Sequence, residues 1–189
     1  METFKDLFEE TLKDIYYAEK AILKALPKMS KAASSKKLQK AFTKHQKETE
    51  GQVGRLEQVF EILGKRAAGK KCPAIDGIIE EGEEVMEEAE DDTVRDAALL
   101  AAAQAVEHYE ISRYGTLIAW AGKMQMSDAA ELLEATLDEE KTTDENLTLL
   151  AESEINVEAE ETNADEAEDD EEDEDGGKAK KRRVGALSR

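Results

Sequence analysis

The stretch that decides the fold is LLAAAQAVEHYEISRYGTLIAWA, Leu99–Ala121, which is apolar at both ends and carries Glu107, His108 and Glu110 in its middle. Alanine and leucine favour helix, and the run is too long for a strand. Its apolar flanks leave little room for a solvent face around Glu107 and Glu110. A charge left alone among such neighbours is costly, so the two glutamates demand partners from other parts of the chain.

Composition limits what those parts can be. Over 189 residues there are 11 Gly, 2 Pro and few aromatics, a balance that favours helix over sheet in one domain able to bury a core. The single cysteine, Cys72, excludes an internal disulfide framework and fits a reducing compartment. The chain opens with no secretory leader and has no apolar run near the ~18 residues of a membrane span, so a cytoplasmic location is expected. A net charge of −20 repels nucleic acid and anionic membranes from the body of the protein.

Period and punctuation give four long helices. The first is expected from about Thr3 to Ala32, with Leu7, Thr11, Ile15, Ala18, Ile22 and Leu26 inward and Pro27 as a kink or stop. Ser34 and Ser35 form a turn and N-cap for the second, from about Lys36 to Leu63, with Leu38, Phe42, His45, Glu48 or Thr49, Gln52, Leu56, Val59 and Leu63 inward, and Gly64 ends it. A connection of almost 30 residues follows, too long to be structureless, with a short helix from about Ala74 to Glu90. The third long helix spans about Thr93 to Ala121. The fourth spans about Asp128 to Ile155, capped by Ser127 or Asp128, with Leu133, Leu137, Glu140, Asp144, Leu147 and Ala151 inward. Two long hairpins joined by a long crossover define an all-α, ferritin-like antiparallel four-helix bundle over residues 1–158.

Beyond it the composition changes. EAEETNADEAEDDEEDED, Glu158–Asp175, is followed by the basic GGKAKKRRVGALSR, and neither block has an apolar period, so residues 159–189 are expected to form a disordered tail, first acidic and then basic. Lys180, Lys181, Arg182 and Arg183 offer at most weak contact with nucleic acid, beside an acidic block that screens them.

In an antiparallel hairpin, residues equally far from the turn are level. With turns near residues 34 and 125, Glu19 comes level with Glu48, Glu110 with Glu140, and Glu107 with Asp144. Six carboxylates from four helices then meet at one depth, a set that a pair of divalent cations would explain. Oxygen ligands, with His45 read either as one imidazole ligand or as a capping or outer histidine, suit iron or manganese better than zinc or copper. His108 reads as a supporting or helix-interface residue, Tyr114 as a core aromatic with the option of bonding a ligand, and Cys72 and Met86 as packing groups.

The segments LKDIYYAEKAILKALPKM, HQKETEGQVGRLEQVFEILG, CPAIDGIIEEGEE, QAVEHYEISRYGTL and LLEATLDEEKTTDENLTLLAESEIN resemble, in order, the YciF/YciE-like family of bacterial ferritin-like stress proteins. The resemblance implies a dimeric bundle similar to rubrerythrin and the manganese catalases, induction under stress, and a dinuclear metal centre. On that resemblance Glu19, Glu48, Glu107, Glu110, Glu140 and Asp144 occupy the family's inward acidic positions, and His45 its inward histidine. One departure stands out: the better-known di-iron sites use Glu-x-x-His on two helices, whereas this chain has none and offers the reverse order, His45-x-x-Glu48. Two functions follow as expectations: a dimetal carboxylate protein handling peroxide, oxygen or iron, or a non-catalytic dimeric stress or interaction protein without a functional metal centre.

Overall fold

The computed structural model describes residues 1–161, which among themselves form helices and no strand. The acidic and basic tail lies outside the described residues from 162 onward, and helix continues through residue 161. The elements are α1 (Phe4–Ala32), α2 (Lys36–Ile62), α3 (Pro73–Glu88), α4 (Asp92–Lys123) and α5 (Ser127–Leu150), the last continued by a π-helical turn, Ala151–Ile155.

Local chemistry sets most of these ends. Thr3 and Asp6 form a reciprocal capping box at the start of α1, satisfying backbone donors that a helix start leaves open. Pro27 sits inside α1, which runs on to Ala32; the cost is one missing donor, and packing on α2 and α4 holds the helix beyond it. Ser35 caps α2 by accepting from the Leu38 amide. Gly64 closes that helix with φ of 68°, a conformation glycine adopts without penalty. Asp91 caps α4 through the Thr93 and Val94 amides. The cap expected for α5 is corrected: Met126 precedes the helix without a side-chain cap, and Ser127 is already its first residue.

Side-chain pairs fix the packing. Ser30 meets Gln39 and Thr43, while Tyr16 meets Glu57 and Phe60, so α1 and α2 run antiparallel. Gln104 and His108 meet Thr148 and Asp144 across α4 and α5. Lys37 meets Glu154, Gln52 meets Glu139, and Arg55 meets Thr136, which makes α2 and α5 antiparallel neighbours. Phe4 stacks edge-on against Trp120, and Tyr114 reaches Glu19, so α1 and α4 are antiparallel too. The four long helices thus form a square bundle, with α1 diagonal to α5 and α2 diagonal to α4. The crossover helix α3 lies outside it, against α4 and α1. Gly82 allows the approach to α4, because a Cβ there would stand 3.0 Å from that of Ala102. No described helix is long and apolar enough to cross a membrane.

The bundle has apolar layers above and below a polar one. Phe8, Leu12, Leu56, Phe60, Leu117 and Leu133 fill one end, and Leu26, Leu38, Leu99, Leu147 and Ile155 the other. Between them Glu19, His45, Thr49, Gln52, Glu107, Glu110 and Glu140 are all buried.

Candidate metal centre

Each wall of the polar layer comes from a different helix. Glu19 descends from α1, His45 from α2, Glu107 and Glu110 from adjacent turns of α4, and Glu140 from α5. The three-residue spacing of Glu107 and Glu110 keeps both on one face. One atom each of His45, Glu107, Glu110 and Glu140 lies within 4.8 Å of all the others.

Hydrogen bonding in this layer is incomplete. Both oxygens of Glu110, both of Glu140, one each of Glu19, Glu48 and Glu107, His45 Nδ1, Gln52 Oε1 and Thr143 Oγ1 are buried without a hydrogen-bond partner among the described residues. Buried polar groups nearly always have one, since a bare group keeps its full desolvation penalty. His45 Nδ1 lies 3.2 Å from a Glu107 oxygen but is not aligned to bond it. The carboxyl groups face one another, and acceptors that face acceptors can be reconciled only by shared protons or by cations. Glu19 is the partial exception: the Tyr114 hydroxyl donates to its other oxygen.

The electrostatics follow from the burial. Desolvation, reinforced by the Glu140 charge, pushes Glu107 up to about 11. Glu110 and Glu19 are raised well above the usual carboxylate range, first by burial and then by carboxyl neighbours. Glu140 is raised by burial to about 7. Burial, with Lys44 nearby, lowers His45 to about 4, so at neutral pH its imidazole is uncharged and offers a lone pair. Burial and mutual repulsion thus favour the protonated form of these carboxyl groups; a divalent ion would oppose that, because it binds the deprotonated ligands. The donor set, carboxylate oxygen with one imidazole nitrogen, fits a hard or borderline ion.

Glu48 and Asp144 stand at the rim. Glu48 is half-buried, with one oxygen on Lys44 and the other buried and bare. Asp144 is half-buried and held by Gln104 Nε2 at 3.4 Å and His108 Nε2 at 3.2 Å. Leu133, Glu140, Leu147 and Ala151 of the fourth long helix are buried as expected, and two positions of its stripe are corrected: Thr136 and Thr143 are buried where Leu137 and Asp144 were expected. His108 therefore supports Asp144 from an exposed position, and Tyr114 is both a fully buried core aromatic and a donor to Glu19. Cys72 is buried and packs its sulfur 3.1 Å from the Tyr109 hydroxyl. Sequence reasoning missed Arg55, which pairs with Glu139 and Thr136 beside the layer and lowers the pKa of Glu140 and Glu19 by its charge. An apolar cavity of about 40 Å³ among α1, α2, α3 and α4, lined by Ile22, Phe42, Ile79, Met86 and Val106, has His45 and Glu107 in its wall.

Comparison with known proteins gives this geometry relatives. The chain is 48% identical to Protein YciF of Escherichia coli (strain K12) over 161 residues, which is 85% of this chain and 97% of that protein. The crystal structure of that E. coli stress protein superposes with a TM-score of 0.79, covering 82% of this chain and 99% of the other. YcfI of Rhodopseudomonas palustris is 50% identical, with a TM-score of 0.77 over 78% of this chain and 94% of that one. A protein from Xanthomonas campestris pv. campestris, only 18% identical, shares the fold at a TM-score of 0.66 over 85% and 99% of the two chains. Residues 3–160 match the family described as Domain of unknown function (DUF892); the chain belongs to that family and is YciF-like over the whole bundle.

Proposed function

We propose that this YciF-like chain is a ferritin-like stress-response protein of the cytoplasm, whose polar layer holds a dinuclear iron or manganese centre. The observation that carries this reading is the set of buried carboxylate oxygens on Glu107, Glu110 and Glu140 that have no hydrogen-bond partner and converge with His45. Satisfied structural carboxylates would not be arranged so.

His45, Glu107, Glu110 and Glu140 would hold the ions, with Glu19 beside them and Glu48 and Asp144 at the rim. Such a centre supplies redox chemistry toward peroxide, oxygen or further iron. The chain's own groups prepare the place. Tyr114 fixes the orientation of Glu19 by donating to one oxygen, which leaves the other directed at the layer. Gln104 and His108 fix Asp144 from outside, as outer partners orient ligands in metal proteins. The apolar layers above and below shield the polar layer from bulk water, which strengthens every electrostatic interaction inside. The chain pairs as a homodimer in this reading.

Elemental analysis of protein purified without chelators tests it: about two iron or manganese ions per chain are expected, most of them lost in Glu110→Ala and Glu48→Ala. A full complement in both variants overturns the assignment. The second reading, a dimeric stress protein without a functional metal centre, draws on YcfI, whose name proposes a structural role; it requires wild-type protein free of both metals.

A further inference from the structure

The charge of this chain is sharply divided. From Lys20 to Lys47, across the end of α1 and the start of α2, there are nine lysines and no aspartate or glutamate, in a chain of net charge −20. All nine are exposed. Lys20, Lys24, Lys28 and Lys31 recur at helical spacing along the outer side of α1, and Lys36, Lys40, Lys44 and Lys47 do the same on α2, so two lysine rows run along one hairpin. Lys28 pairs with Glu83, Lys37 with Glu154 and Lys44 with Glu48. Lys24, Lys31, Lys40 and Lys47 have no ion-pair partner among the described residues. Clustered like charges repel and cost stability unless something anionic covers them.

The chain carries a matching anion. DEAEDDEEDED, Asp165–Asp175, is acidic at ten of its eleven positions. It lies beyond the part that matches the family, which ends at residue 160. The chain leads to it from the right place, because α5 runs toward the hairpin tip and the turn that continues it puts Glu154 on Lys37. Ile155 is buried at that end, and residues 156–161 continue as helix. Asp165 follows only four residues later, and an extended segment covers roughly 3.3–3.6 Å per residue. The rows from Lys36 to Lys47 rise only about 1.5 Å per residue, so the acidic block can span them.

We propose that the lysine face of the α1–α2 hairpin is the docking surface for the chain's own acidic segment, Asp165–Asp175. Docked there, the segment neutralises the hairpin and closes it to other polyanions. The contact is many-valued and peripheral, so it depends on ionic strength rather than on one residue.

Carbodiimide cross-linking of the full chain, read by mass spectrometry on an equal mixture of ¹⁴N- and ¹⁵N-labelled protein, tests this. The expected result is same-isotope links from Lys24, Lys31, Lys40, Lys44 or Lys47 to Asp165–Asp175, lost in about 1 M salt, where the Debye length is about 3 Å. Links mainly between isotopes make another copy the occupant and overturn the proposal. Links confined to Lys178, Lys180 and Lys181, within the tail itself, also overturn it. A second measurement uses a full chain with the ten acidic residues changed to Asn and Gln: it should gain retention on immobilised heparin, and the added changes Lys24→Glu, Lys40→Glu and Lys47→Glu should abolish that gain. Equal retention of the neutral-tail variant and the wild type would contradict the model of a covered lysine face. None of these readouts involves the metal centre.

Discussion

Two buried carboxyl groups on α4, Asp96 and Glu110, lie fourteen residues apart, about four helical turns, and could hardly be treated more differently. Asp96 accepts three hydrogen bonds, from the Ser34 amide at 2.8 Å, the Ser34 hydroxyl at 2.7 Å and the Ser35 amide at 2.6 Å. It ties the α1–α2 turn to the start of α4. Glu110 is fully buried and accepts none. Burial alone therefore says nothing about role; hydrogen-bond accounting does. A satisfied carboxylate is structural; a bare one facing other bare ones is the group that our proposal assigns to a ligand.

The largest effect that can break this contrast is at Asp96. Asp96→Ala strips the acceptor from three donors in the turn and should cost about 3 kcal/mol of folding stability, read as a lowered chemical-denaturation midpoint with an unchanged slope. A variant as stable as the wild type would show that the two carboxyl groups are not distinguished by their partners.

Next comes pH. For the metal-free protein, a carboxyl whose folded pKa is raised contributes its full stability below the unfolded value and loses it as pH climbs to the folded value. For Glu140 that window runs from the ordinary 4.5 to about 7, so between pH 7.5 and 5.5 it alone recovers about 2 kcal/mol at 1.36 kcal/mol per unit. Glu19, Glu107 and Glu110 act in the same direction. His45 opposes them: its pKa falls from 6.5 to about 4, so its contribution is present above 6.5 and is lost on acidification. Four carboxyl groups outweigh one imidazole, and the metal-free chain should melt higher at pH 5.5 than at pH 7.5. Calorimetry at the two values checks the sign.

The smallest effect is at Tyr114. Tyr114→Phe removes the hydroxyl that donates to Glu19 and should cost about 1 kcal/mol in the metal-free protein. It should also weaken metal binding, since Glu19 is then held less firmly and its carboxyl is harder to ionise. If stability falls while metal affinity is untouched, the tyrosine serves the core only.

Much of this was legible in the sequence because helices are periodic. Apolar spacing and caps located all five helices to within a few residues, and level-matching across the turns brought Glu19, Glu107, Glu110 and Glu140 to one depth, where the structure has them. Matching by level gives height but not rotation. One residue turns a side chain by about 100°, so Thr49 and Thr143 face inward while Glu48 and Asp144 sit at the rim. Asp96 was illegible for a different reason: its partners are two backbone amides and a hydroxyl more than sixty residues away, and nothing in the local pattern of α4 encodes them. Arg55 was hidden because it belongs to the flank of α2, where a cation ordinarily means only a solvated face.

The central claim, that Glu110 and its neighbours await a cation rather than a hydrogen bond, is tested most directly by the melting temperature of the metal-free chain with and without Mn²⁺. At pH 7.5 added Mn²⁺ should raise melting in the wild type, because the ion binds deprotonated ligands of the folded state, and the gain should shrink at pH 5.5. Glu110→Gln should melt higher than the wild type without metal at pH 7.5 and respond weakly to Mn²⁺. Melting that ignores Mn²⁺ at both pH values, together with a destabilised Glu110→Gln, would contradict the account and make these glutamates structural residues like Asp96.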